Sequence, residues 1–166
     1  MLEAFQNHLW TITTHHEQQT CRVGEAIGGA CQGGEIFLLA GPLGAGKTCL
    51  TGGILRGLGL DRPAASPSYV ILRSYETTSG LTLHHFDFYR LSGIDDLETI
   101  GLEECLSEDA VVVAEWPDRC PEALEVHTMR LELEVIAENE RRIRAAPGGL
   151  EVGVELIDLK ARIDSS

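Results

Sequence analysis

Gly41-Pro42-Leu43-Gly44-Ala45-Gly46-Lys47-Thr48 is the stretch that decides how this chain folds. The octet matches G-x-x-x-x-G-K-[ST], the phosphate-binding loop. Each part of the pattern has a physical reason. The glycines let the backbone turn sharply, so that successive N–H groups converge on phosphate oxygens. The helix that follows presents its positive end to the same oxygens. A lysine neutralises the β- and γ-phosphates, and a threonine hydroxyl can ligate Mg²⁺. The loop works only between a buried strand and a helix, and both neighbours are present. Residues 35–40 form a short, nearly continuous apolar run with glycines on either side, which predicts a strand buried on both faces. Residues 47–58 predict a helix, with Gly59 placed to end it.

Working outward, Thr14-His15-His16-Glu17 fits a capping box, with Thr14 as N-cap and Glu17 reaching back. A helix is therefore expected from there to about Cys31, with Val23 and Ile27 on its apolar stripe, after a loose lead-in over residues 1–10. Residues 60–68 contain Pro63 and Pro67 and read as an ordered loop. Two β-type runs, 69–76 and 81–87, flank Thr77-Thr78-Ser79-Gly80 and predict a hairpin. Asp95-Asp96-Leu97-Glu98 opens a short helix with acids at its positive end, and Gly101 breaks it. Residues 111–114 are a second buried apolar strand, and 128–136 alternate as a further one. Residues 141–144 read as a strand, whereas 150–163 fit strand or helix. The fold class is α/β: a P-loop NTPase-like three-layer fold with a mixed, partly antiparallel sheet. The expected organisation is a lead-in over 1–13, one domain over 14–145 and a C-terminal extension over 146–166.

Charge excludes several functions. The chain has 166 residues, with 26 acidic and 13 basic side chains and a formal net charge of −13. A protein built to grip a nucleic-acid backbone or an anionic membrane needs clustered Lys and Arg, and here the lysines are Lys47 and Lys160 alone. Five cysteines, Cys21, Cys31, Cys49, Cys105 and Cys120, include no CxxC pair, so reduced thiols are expected. The N-terminal residues carry no leader pattern and no apolar run approaches a bilayer span; the expected location is the cytoplasm.

A triphosphatase needs a carboxylate near the metal. Glu115 follows Val111-Val112-Val113-Ala114 at the point where that strand would emerge beside the loop. The alternative is a solvated glutamate at a strand end. Trp116-Pro117 stops the strand, and Trp116 either lines the site or simply packs, packing being the preferred reading. A second carboxylate lies in His84-His85-Phe86-Asp87-Phe88-Tyr89-Arg90. Alternation sets Leu81, Leu83, His85 and Asp87 on one face and Thr82, His84, Phe86 and Phe88 on the other. Asp87 then faces the nucleotide, ordering the attacking water or meeting the metal through water, or else forms a structural salt bridge with Arg90. His84 and His85 point to opposite faces and make a poor metal-ligand pair. Ser66-Pro67-Ser68-Tyr69 lies where a γ-phosphate-sensing loop sits in other triphosphatases.

Together these motifs resemble one family, TsaE (also called YjeE), the small bacterial ATPases required for tRNA threonylcarbamoyladenosine biosynthesis. The resemblance runs from about residue 17 to about residue 140. It is carried by the order of the phosphate loop, Ser66-Pro67-Ser68-Tyr69, HFDFYRL at 85–91, the Leu97-to-Gly101 helix and Glu115-Trp116-Pro117. It implies an ATP-binding set of Gly41, Gly44, Ala45, Gly46, Lys47, Thr48 and Cys49. It further implies Thr48 and Glu115 as holders of Mg²⁺, Asp87 with Lys47 and Glu115 as the catalytic group, and Ser66, Ser68 and Tyr69 as a switch-like loop. It implies as partners the proteins TsaD and TsaB, which transfer the threonylcarbamoyl group to tRNA; contact with tRNA itself would be indirect. Pro42, Cys49 and Ser68 depart from residues common in the family, Ser68 keeping the hydroxyl of a family threonine. A small-molecule kinase is the second reading, but it lacks an evident Arg-rich lid. A GTPase would need Asn-Lys-x-Asp, which neither lysine allows. The fourth reading, a nucleotide-gated interaction module, differs from the first only in turnover. The loop around Thr13-Thr14 is a candidate for reading adenine.

Overall fold

A computed structural model describes residues 8–64 and 71–166. Ser66, Ser68 and Tyr69 lie outside the described residues. Seven strands form one sheet in the order β1-β7-β6-β2-β5-β4-β3. They are β1 (Trp10–Thr14), β2 (Ile36–Ala40), β3 (Leu72–Glu76), β4 (Thr82–Asp87), β5 (Ala110–Glu115), β6 (His127–Ala137) and β7 (Glu140–Gly148). The centre, β6-β2-β5-β4, is parallel; β1, β7 and β3 pair antiparallel at the two sides. This is the mixed α/β sheet that the sequence predicts.

Helices cover both faces, which is why the central strands are apolar without alternation. All five residues of β2 and all six of β5 are buried. On one face, α1 (Glu17–Ala30) and α2 (Lys47–Gly57) close over Phe37, Leu39, Leu83, Val111, Val113 and Leu131. On the other, α3 (Ile94–Ile100) and α4 (Leu102–Cys105) cover Ile36, Leu38, Phe86, Phe88, Val112 and Ala114. Gly101 joins α3 to α4 in a left-handed conformation, φ +87°, the break its sequence position predicts.

The α1–α2 contact is backbone against backbone. A Cβ on Gly24 or Gly28 of α1 would strike the Leu50 or Ile54 carbonyl, and one on Gly53 or Gly57 of α2 would strike the Cys21 or Glu25 carbonyl. Each helix thus presents two glycines four residues apart to the other.

Two expectations need correction. Thr14 does not cap α1. It ends β1, paired with Arg141, and its hydroxyl lies 2.8 Å from that of Thr20. His16 holds the N-cap position without a side-chain bond, and Gln19 Oε1 accepts from the His15 N–H instead. The residues just before 14 are not a loose lead-in, because Trp10 and Ile12 are buried and the sheet begins at Trp10. Of the strand and helix alternatives for the C-terminal stretch, the structure takes helix: α5 (Val154–Ile157) and α6 (Leu159–Asp164) bury Leu156 and Leu159. The indole N–H of Trp10 donates to the Leu156 carbonyl at 2.9 Å, tying the first strand to this tail. No helix among the described residues is long and apolar enough to cross a membrane.

Candidate functional site

The site forms at the carboxyl ends of the parallel strands, where open α/β sheets carry their ligands. Beyond Ala40 the chain enters the phosphate loop and leaves it at Gly46, whose φ of +100° only glycine adopts freely. Lys47 is the first residue of α2. Its ammonium donates to the carbonyls of Gly41 at 2.6 Å and Pro42 at 3.1 Å, and it stands 4.1 Å from the centre of the Trp116 ring. Burial lowers the Lys47 pKa from its ordinary value, while the charges of Glu115 and Asp87 oppose that shift.

β4 and β5 run parallel with Asp87 directly beside Glu115. Both carboxylates therefore emerge at one edge, on the face that α2 covers, and line the same pocket as Lys47 and Thr48. Phe86 and Phe88 turn to the opposite core, as the alternation requires. Burial raises the Asp87 pKa, and the Tyr89 N–H, which donates to Asp87 Oδ1 at 2.9 Å, pulls it back down. Glu115 is 4% exposed, and its Oε1 lies 3.1 Å from His85 Nε2. Alternation had set His85 on the Asp87 face, but only the strand register brings it to Glu115.

The pocket has a volume of about 610 Å³, and Gly44, Gly46, Lys47, Thr48, Cys49, Asp87 and Glu115 all contribute to it. Gly41 and Ala45 belong to the loop, but their side positions face inward: Ala45 is fully buried, and Gly41 packs against Leu133. Thr14 does not line the pocket; Thr20 and Glu17 do.

Trp116 is more than a packing residue, because it forms a wall of the pocket. Its backbone is left-handed, φ 58° and ψ 49°, a strained conformation for a bulky residue and one that a following proline ordinarily disfavours. Tyr89 packs against it with centroids 5.0 Å apart and the ring planes tilted by 58°, and the Arg119 guanidinium lies 4.6 Å over the Tyr89 ring. Arg141, read as part of a strand, also reaches the site from β7. It donates to the Gly44 carbonyl at 3.1 Å. Nothing in the local sequence marks this contact, because the two residues are 97 positions apart.

The expectation of reduced cysteines fails at one pair. Cys21 of α1 and Cys49 of α2 form a disulfide, with Cα atoms 5.6 Å apart. Cys31, Cys105 and Cys120 are free thiols, and burial pushes all three upward in pKa. The pairing follows from the close helix crossing at Gly24 and Gly53, which no sequence spacing reveals.

A family model described as threonylcarbamoyl adenosine biosynthesis protein TsaE matches residues 14–143. The tRNA threonylcarbamoyladenosine biosynthesis protein TsaE of Treponema pallidum is 37% identical over 129 residues, covering 78% of this chain and 94% of the relative. The protein of the same description from Streptomyces coelicolor is 39% identical over 114 residues, covering 68% and 76%. The crystal structure of Bacillus subtilis YdiB superposes with a TM-score of 0.72 at 25% identity, covering 94% of each chain. With the loop, the paired carboxylates and the Glu115-Trp116-Pro117 corner in place, these matches agree with the fold, and the chain belongs to the TsaE family of threonylcarbamoyl adenosine biosynthesis proteins.

Proposed function

We propose that this protein binds ATP with Mg²⁺ in the Lys47 pocket and hydrolyses it slowly, as a partner-dependent ATPase acting on a TsaD–TsaB complex during threonylcarbamoyladenosine modification of tRNA. One observation carries the proposal: the phosphate loop, Asp87 and Glu115 line a single pocket of about 610 Å³. In this reading the loop N–H groups and the start of α2 bind the phosphates. Lys47 exchanges its loop carbonyls for phosphate oxygens. Asp87 orients the attacking water, and its raised pKa suits a group that accepts a proton in passing.

Thr48 and Glu115 would hold the Mg²⁺. A hydroxyl and a carboxylate are hard oxygen donors, and Mg²⁺ is typically held by one or two such groups together with substrate phosphates and water. When bound, the ion neutralises charge on the phosphates. Glu115 fits the task because it is ionisable, buried and already oriented by His85. The net charge of −13 supports contact with partner proteins over contact with RNA.

The test is ATP turnover by the purified chain, with Mg²⁺ or EDTA, alone and with the TsaD–TsaB proteins of the same cell. Slow Mg²⁺-dependent turnover that changes with the partners supports the proposal. Turnover indifferent to both, or tight tRNA binding by the isolated chain at physiological salt, overturns it.

A further inference from the structure

We propose that His85 is a positioning residue: it fixes the carboxylate of Glu115 so that one oxygen stays ready for the metal. The inference rests on the Mg²⁺ reading above and assigns a residue to support it.

Strand geometry makes the pairing specific. Leu83, His85 and Asp87 share a face of β4, and Asp87 is registered against Glu115 while His85 is registered against Val113. His85 is therefore the diagonal neighbour of Glu115, within side-chain reach. Leu83, Val111 and Val113 are fully buried on the same face, and Arg73 of β3 is registered directly against His85. The ring itself is fully buried, and among the described residues its Nδ1 has no hydrogen-bond partner. A buried nitrogen without a partner is costly, and a leucine would fill this position of the strand without that cost. The polar contact at the other nitrogen, 3.1 Å to Glu115 Oε1, is what distinguishes histidine here. An ionised carboxylate only accepts, so in a hydrogen bond to ionised Glu115 the donor is the His85 Nε2–H.

A long glutamate side chain at a strand end would otherwise sample several rotamers. Held at Oε1, Glu115 loses that freedom before nucleotide arrives. Groups that orient metal-binding side chains in this way typically change metal affinity 10- to 100-fold.

The test uses the full chain with ADP and Mn²⁺ as a paramagnetic probe, read by electron paramagnetic resonance, with metal-free ADP affinity measured in parallel. His85→Leu removes the donor, His85→Gln carries an amide to the Nε2 position, and His85→Asn stops short of it. The expected result is about a tenfold or greater loss of Mn²⁺ affinity in the Leu and Asn variants, near-wild-type affinity in Gln, and metal-free ADP affinity within about twofold throughout. In turnover, kcat should fall with little change in KM. If the Leu variant fails to hold metal-free ADP, the Gln–Asn pair decides alone. Equal Mn²⁺ affinity in Gln and Asn, or wild-type affinity in a folded Leu variant, overturns the role of His85 and leaves the ATPase reading intact. A wild-type protein that binds no Mn²⁺ with ADP overturns both.

Discussion

The Lys47 ammonium lies 4.1 Å from the centre of the Trp116 ring while donating to the Gly41 and Pro42 carbonyls. The main cation of the site is thus held by a ring and by its own loop. The ring reaches that position because Trp116 adopts a left-handed backbone. The strain costs on the order of 1–3 kcal/mol, and the fold tolerates it where Trp116 N–H meets the Leu39 carbonyl at 3.3 Å. Lys47 and Trp116 are coupled, so displacement of one is visible at the other.

Lys47→Ala should weaken ATP binding roughly 30- to 150-fold, the value of about 2–3 kcal/mol for charge-assisted bonds. Calorimetry measures it directly. In the wild type, nucleotide should change the emission of Trp116, because Lys47 leaves its ring for the phosphates. Trp10→Phe should preserve that signal and Trp116→Phe should remove it. Unchanged affinity in the alanine variant would refute the site.

Asp87 links activity to stability through its burial. Burial raises its pKa above the ordinary 3.8, so the ligand-free fold favours the protonated acid. The resulting stability is fully present below the ordinary value and lost as pH rises through the raised one. At pH 7 ionised Asp87 therefore destabilises the empty protein. Asp87→Asn keeps an oxygen to accept from the Tyr89 N–H. It should melt at or above the wild-type temperature at pH 7 and show no advantage near pH 3. ATP turnover should fall on the order of 10²-fold or more. A variant that is both less stable at pH 7 and fully active would contradict this account.

The contrast between Glu115 and His85 shows how far the sequence could be read. Residues 41–48 and 110–115 were legible because a buried strand and a phosphate loop leave local patterns of apolar runs and glycines. Asp87 was placed by the two-residue period of its strand. His85, Arg141 and the Cys21–Cys49 pair were not assigned these roles, because each acts on a partner that strand register or helix crossing brings near. β1 carries a signal, Trp10 and Ile12 alternating with threonines, but a five-residue strand beside a plausible capping box does not stand out locally from a lead-in. Residues 154–164 fitted strand or helix equally, and the burial of Leu156 and Leu159 settles them as helix.

The Cys21–Cys49 bridge closes a separation of 28 residues. Loop-closure entropy gives such a bridge about 3.5 kcal/mol, or roughly 7–14 °C in melting temperature for a chain of this size. Reduction by dithiothreitol should lower the melting point of the wild type by that order. Cys21→Ala should melt at the reduced value and ignore the reductant. A wild-type melting point unmoved by reduction would show that the bridge does not stabilise the fold.

Gly53 and Gly29 make opposite predictions for the same substitution. A Cβ on Gly53 would collide with the Cys21 carbonyl, whereas one on Gly29 meets nothing within 4 Å. Both sit inside helices, where alanine is favoured over glycine by about 0.8–1 kcal/mol. At Gly29 only that preference acts, so Gly29→Ala should stabilise by up to about 1 kcal/mol. At Gly53 the collision is with backbone, which a rotamer change cannot relieve. α1 and α2 must separate, and Gly53→Ala should lose a net of about 1–3 kcal/mol, the usual range for overpacking. Because α2 begins at Lys47, a displaced α2 also shifts the phosphate loop, so Gly53→Ala should weaken nucleotide binding while Gly29→Ala leaves it unchanged. Denaturant melts and ADP titrations on the two variants check both halves, and equal effects at the two glycines would disprove the close helix crossing.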